Sequence, residues 1–315
     1  MAALERHQVA CYLGALATAM LVGLLLPAQS VHLGGAITPL LAALLYVTFL
    51  QVPVAQLVRR PPAGHFLPTI LVLNFVVVPV LVAALFPLLP DERAVELGVL
   101  LVLLCPCVDY VIVFAGLAGG DAARLLAATP VLLVLQMLAL PLYLWLFLGA
   151  DLASVVDPWP FLEAFGALIV APLALAWATQ WWSGRAAAGR RVVGAATATM
   201  VPLMAAVLFV VVASQVPHLD GRAGRWWSVA AVYVLFIVVM AVVGGLVSRR
   251  AGLDTGERRA AIFAGVTRNS LVVLPLALAL PDAFAATAAA VVLLQTLVEL
   301  VAMVTMVRLV PRWVR

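Results

Sequence analysis

The sequence predicts an all-α, polytopic membrane protein of about ten spans, arranged as two inverted five-helix repeats with crossed discontinuous helices 4 and 9. Three observations carry the prediction. Apolar residues make up 66% of the chain and charged residues 10%, where a soluble domain holds roughly half and about a quarter. The apolar residues form successive runs of about 20, the length that crosses the hydrocarbon core of a bilayer. Two of these runs are interrupted by polar residues, at Cys105-Pro106-Cys107-Val108-Asp109-Tyr110 and at Thr267-Arg268-Asn269-Ser270.

Taken in order, the runs place spans at 9–26, 34–56, 66–88, 94–118, 123–149, 159–180, 192–214, 228–248, 259–280 and 284–307. The first ends at Leu26-Pro27 and suits a retained span better than a cleaved signal peptide. Arginine clusters set the orientation, since basic residues stay on the cytoplasmic side. Arg59-Arg60, Arg124, Arg185 with Arg190-Arg191, Arg249-Arg250 with Arg258-Arg259, and Arg308, Arg312 and Arg315 all fall on one side. Asp91-Glu92, Asp151, Asp157 and Asp282 fall on the other, with Arg93, Arg222 and Arg225 as exceptions. A multi-pass protein of the cell membrane with both termini cytoplasmic is expected. Trp159, Trp181-Trp182, Trp226-Trp227 and Trp313 lie at span ends, where tryptophan anchors a helix at the interface. Pro172 and Pro202 fall inside spans and can kink them.

The same composition excludes several classes. The 18 basic residues are all arginine and give a net charge of +4, but they are dispersed between apolar runs and form no nucleic-acid patch. No GxxxxGK[ST] loop is present, which argues against ATP-driven pumping within this chain. Three cysteines, all inside expected spans, build no disulfide framework. His7, His32, His65 and His218 lack metal-ligand spacing. Neither an enzyme nor a resident cofactor or metal is expected.

A short internal repeat supports the inverted architecture. Leu117-Ala118-Gly119-Gly120-Asp121-Ala122 ends the fourth span and Leu278-Ala279-Leu280-Pro281-Asp282-Ala283 ends the ninth. An odd number of spans per copy inverts the second in the membrane, so the expected repeats are 1–150 and 151–315 within one membrane domain. Carried back, the alignment sets Cys107 opposite Arg268 and Asp109 opposite Ser270, and the two polar breaks coincide.

Each break holds residues that can carry chemistry. An acid within a span marks a functional site by default, and Asp109 is a candidate proton carrier, against the reading of a carboxylate permanently paired with Arg268. Arg268 lies ten residues beyond Arg258, about 15 Å of helix, which puts it at mid-membrane depth. It can pair with Asp109, hold an anionic substrate, or serve as a tethered positive charge in a cation site. Asn269, Ser270 and Thr267 supply donors and oxygen ligands beside it. Cys105 and Cys107, either side of a proline, suit soft metals and metalloids; the alternative is two small buried hydrophobes. An intramembrane thiol oxidoreductase is a further alternative, disfavoured because one intervening residue makes a strained disulfide. Gln295 and Glu299 stand four apart on one helical face, where Glu299 is a second candidate for ion or proton coupling. Asn74 and Gln136 are polar residues within the third and fifth spans.

Cys105-Pro106-Cys107-Val108-Asp109-Tyr110-Val111, followed by Leu117-Ala118-Gly119-Gly120-Asp121 and by Arg268-Asn269-Ser270-Leu271, resembles the bile acid:sodium symporter superfamily. Within it, the chain is most similar to the arsenical-resistance permeases. The resemblance implies ten helices in two inverted repeats, a panel-like domain, a core domain and crossed helices four and nine. It also implies a substrate-binding role for Cys107, which matches the cysteine implicated in arsenite transport. Two acids of the superfamily are missing: Ala264 stands where sodium-coupled members place a glutamate, and Val272 near where the arsenical permeases carry one.

The sequence therefore points to a secondary transporter. The first expectation is export of arsenite or a related metalloid in exchange for protons, with Cys107, Cys105, Arg268, Asn269 and Ser270 touching substrate and Asp109 and Glu299 coupling the ion. The second is a sodium- or proton-coupled transporter of a small organic anion. The expected partners are a small solute, a proton in preference to sodium, and the lipid bilayer, with homo-oligomerisation left open.

Overall fold

The computed structural model describes residues 8–50, 64–108, 110–149, 163, 166–218 and 223–315, and these are helical with no strand among them. Helix α1 (Gln8–Leu25) leads through the turns Pro27–Ser30 and Val31–Ala36 into α2 (Ile37–Leu50). Helix α3 (Phe66–Val72) passes through a π-turn, Leu73–Val77, into α4 (Val78–Leu85). The first broken helix follows as α5 (Arg93–Leu103) and α6 (Val111–Leu117), then the long α7 (Ala122–Leu148).

The second half continues with α8 (Ala171–Ser183), α9 (Ala187–Ala198), α10 (Met200–Gln215) and the long α11 (Ala223–Arg250). A second broken helix comprises α12 (Thr255–Val266) and α13 (Ser270–Leu278), and α14 (Asp282–Trp313) closes the chain. The two expected proline kinks have local counterparts. Pro172 sits in the first turn of α8 behind the π-turn Gly166–Val170, and Pro202 opens α10 just after a 44° bend.

Five stretches of the described residues are long and apolar enough to cross a membrane: Pro27–Leu50, Phe66–Leu88, Val131–Leu148, Gly224–Arg250 and Asp282–Trp313. The bent pair of α9 and α10 makes a sixth. This is fewer than the ten runs read from the sequence, and the breaks are one physical reason. The apolar runs 94–118 and 259–280 are each cut in two, so no segment of either reaches the roughly 20 residues of an unbroken span. The run 159–180 lies partly outside the described residues.

Packing sorts the helices into two groups. Helix α10 packs against α1 and α2, and α8 against α2 and α9; in the other group α5 and α11 pack on α14, and α12 on α11. The two broken helices exchange halves, with α6 against α12 and α13 against α5. Outward faces are apolar: Leu138, Leu142, Trp145 and Leu146 of α7 and Val234, Val238 and Val242 of α11 are exposed. Such faces suit lipid, because the backbone polar groups beneath them are satisfied within the helix. Trp181, Trp227 and Trp313 are exposed at helix ends, as interfacial anchors would be.

Local signals in the sequence explain how the halves are pinned. Asp254 and Glu257 form a capping box at the start of α12, and Asp121 caps α7 by accepting from Arg124 N. Arg124 also donates to Glu257, joining the two N-termini. The link between α6 and α7 turns at Gly119, whose φ is +67°, and passes so close to α12 that a Cβ on Gly120 would meet Ala260 N at 3.0 Å. Two of the exceptional arginines are neutralised locally: Arg225 donates to both carboxylate oxygens of Glu92 at 2.9 Å, and Arg93 to Glu96 at 3.1 Å. Arg222 lies outside the described residues.

Candidate functional site: the crossing of the broken helices

Helix α5 stops because Pro106 has no N–H to give and its ring excludes the preceding helical turn. Helix α12 has no proline at its end. It stops at Thr267, which turns extended (φ −79°, ψ 139°), and Asn269 caps the restart by accepting from Val272 N at 3.3 Å. The two unwound segments then satisfy one another. Asn269 N donates to Cys105 O at 2.8 Å, and Cys107 N to Thr267 O at 3.3 Å, making an antiparallel bridge between Pro106 and Arg268. Non-helical backbone at this depth is tolerated only when its polar groups find partners within the protein.

Helix α14 holds the crossing from the side through residues on one face. Glu299 is fully buried and accepts from Arg268 N at 2.8 Å, from the Tyr110 hydroxyl at 2.7 Å and from Gln295 Nε2. Thr296 Oγ1 lies 2.7 Å from Ser270 Oγ. Glu299 thus ties a residue of the first break and a residue of the second to the same carboxylate.

The Arg268 side chain is also fully buried, and its hydrogen bonds go to neutral oxygens. It donates to Gly265 O at 2.7 Å, Ala264 O at 3.1 Å and Leu103 O at 3.2 Å, and to Asn74 Oδ1 at 2.7 Å. Three of these oxygens are carbonyls in the last turns of α5 and α12, which helical hydrogen bonding leaves open and which carry the negative ends of the helix dipoles. The fourth belongs to Asn74 in the π-turn, whose Nδ2 donates to Ile70 O at 2.9 Å and leaves Oδ1 to face Arg268. Phe236 of α11 covers the guanidinium at 5.5 Å.

The structure brings Cys105, Cys107, Arg268, Asn269, Ser270 and Glu299 to one crossing, all buried. Asp109 lies outside the described residues. Bridge partners differ by one residue from the alignment, which set Cys107 rather than Pro106 opposite Arg268. The guanidinium is already engaged at both terminal nitrogens, so the expectation that it grips an anion is narrowed to Nε. Among the described residues, that atom and Asn269 Nδ2 are buried donors with no partner. Gln136 is buried, and among the described residues neither of its side-chain polar atoms has a partner. Among the described residues no three His, Cys, Asp or Glu side chains could hold a metal ion, and no disulfide joins Cys11, Cys105 and Cys107.

Sequence reasoning gave Tyr110 and Thr296 no role. Thr296 stands one residue after Gln295 and three before Glu299, so helical spacing alone could have placed it on the same face. Nothing in the sequence signals the carbonyls of Leu103, Ala264 and Gly265, since backbone oxygens are common to all residues.

Long apolar helices with lipid-suited outer faces make this a multi-pass membrane protein. A model of the sodium bile acid symporter family matches residues 38–250, well over half of the chain, and the chain belongs to that family. The match includes the first break; Arg268 and α14 lie beyond it. It is to the family as a whole and does not single out the arsenical permeases. No curated protein gives a significant match.

Proposed function

We propose that the chain is a secondary transporter that moves a small organic anion by alternating access around the crossing, with a proton as the coupling ion. Membership of a symporter family supports the transporter class. The observation that carries the anion is the pair of buried donors Arg268 Nε and Asn269 Nδ2, which have no partner among the described residues. An orphaned buried donor costs about 1–3 kcal/mol, and a carboxylate or sulfonate oxygen supplies the missing acceptor. Glu299 is the acid that would carry the proton. Neutralising it weakens the bonds that hold Arg268 N and Tyr110, which couples protonation to the geometry of the crossing.

The architecture behind this reading is ten spans in two inverted repeats, 1–150 and 151–315, in the cell membrane with cytoplasmic termini. It is supported by the exchange of halves, α6 with α12 and α13 with α5, which a five-plus-five repeat would generate. A second reading, export of arsenite or another trivalent metalloid, is favoured by one specific observation. Cys105 and Cys107 are buried, outside any disulfide, and stand either side of the Pro106–Arg268 bridge, where two sulfur ligands suit a soft metalloid.

Thermal unfolding of the purified protein with bile salts, small carboxylates, sulfonates and arsenite separates the readings. A transported anion at a hundredfold its Kd stabilises by about 2.7 kcal/mol. Stabilisation by arsenite, lost in Cys107→Ala, would instead favour the metalloid; no response to any anion would sink the first reading.

A further inference from the structure

Transporters built on broken helices take up coupling sodium between unwound carbonyls and half-helix C-terminal ends. This chain builds such a cage. The last turns of α5 and α12 present Leu103 O, Ala264 O and Gly265 O to the two ends of one guanidinium, and Asn74 Oδ1 joins them from the π-turn. Each helix end presents about half a negative elementary charge, so two ends call for about one positive charge. The fit test for sodium fails here, because the guanidinium of Arg268 donates to all four oxygens at 2.7–3.2 Å. A sodium ion using the same oxygens would lie within about 4 Å of the guanidinium, a repulsion that lowers its affinity by about a thousandfold.

We infer that Arg268 is a tethered internal cation that takes the place of a coupling sodium ion between the ends of α5 and α12, so that this family member works without sodium at that site. The inference rests on the transporter reading. It concerns the coupling ion alone, and its test needs no transported solute, so it can fail while anion transport stands, or hold if the cargo differs.

The test is thermal unfolding and radioactive-sodium binding of the purified full-length protein in detergent, with sodium titrated against potassium at constant ionic strength. Wild type should show no saturable, sodium-specific shift in Tm and no saturable sodium binding. Arg268→Gln and Arg268→Ala empty the cage and should acquire a sodium-specific rise in Tm, and millimolar guanidinium should stabilise Arg268→Ala relative to wild type. Saturable sodium binding by wild type overturns the inference, and so does a folded variant that stays silent to both sodium and guanidinium. If neither variant folds, the wild-type sodium titration decides the matter alone.

Discussion

The backbone N–H of Arg268 donates to Glu299 Oε2 at 2.8 Å, so the unwound strand of one broken helix hangs on the side of α14. The hydroxyl of Tyr110, from the other broken helix, reaches the second oxygen of the same carboxylate at 2.7 Å. Any movement that opens the crossing must loosen one of these bonds. Glu299→Ala removes the acceptor shared by Arg268 N, the Tyr110 hydroxyl and Gln295 Nε2 and is expected to destabilise the protein by about 3 kcal/mol in denaturant or thermal unfolding. Glu299→Gln keeps an acceptor oxygen and should lose about 1 kcal/mol. It can no longer exchange a proton, so solute exchange should persist while accumulation driven by a pH gradient disappears.

Tyr110→Phe removes one hydroxyl and should lower stability by about 1–2 kcal/mol. Because Tyr110 and Glu299 touch, their effects should not add. A double-mutant cycle of Tyr110→Phe with Glu299→Gln should return a coupling of about 1 kcal/mol, whereas independent sites would agree within about 0.5.

Gly98 of α5 faces α14 so closely that a Cβ there would meet Ala288 O at 2.8 Å and Val291 Cβ at 2.9 Å. Both contacts are in a packed helix and one is backbone, so neither yields easily. Gly98→Val should therefore cost about 1–3 kcal/mol through overpacking, measured by unfolding in detergent. Gly194, whose Cβ would meet nothing within 4 Å, is the matched control and should tolerate Ala without loss.

Arg259 joins the end of the chain to the turn after α6. Its guanidinium donates to Val314 O at 2.8 Å and Pro311 O at 3.4 Å, and to Ala118 O at 3.3 Å. Arg259→Ala should free the last residues of α14, seen as faster hydrogen exchange and earlier proteolysis there, with the crossing unaffected.

Cys105 and Cys107 are each 1% exposed, while Cys11 is partly exposed. A membrane-permeant maleimide should label Cys11 at least about tenfold faster than either, because burial keeps the reagent from Cys105 and Cys107. Ligands that lock the crossing should slow labelling of Cys107 further.

Much of this was legible in the sequence. Pro106 announces the first break because a proline cannot continue a helix, and the polar run around Arg268 announces the second at the depth of the first. What the alignment could not give is register: the bridge joins Pro106 to Arg268, one residue from the expected pairing, because backbone bonds rather than side-chain identity set it. Arg268 could be read as an ion-pair partner, an anion ligand or a fixed cation, and the carbonyls of Leu103, Ala264 and Gly265 that its guanidinium meets leave no mark in the sequence. The π-turn Leu73–Val77 is signalled only by Pro79, in the first turn of the helix that follows it. The role of Tyr110 depends on Glu299, 189 residues away in the chain, a contact no local pattern encodes.

The most direct test of anion transport through the crossing is uptake of a radiolabelled anion chosen from the unfolding screen into proteoliposomes. Wild type is compared with Asn269→Asp, which keeps the capping oxygen and removes the unpartnered donor. In sodium-free potassium medium with an imposed pH gradient, wild type should accumulate the anion above protein-free vesicles, and Asn269→Asp should fall at least about tenfold, the loss of one charge-assisted hydrogen bond. No accumulation by wild type, or undiminished uptake by Asn269→Asp, would contradict the account.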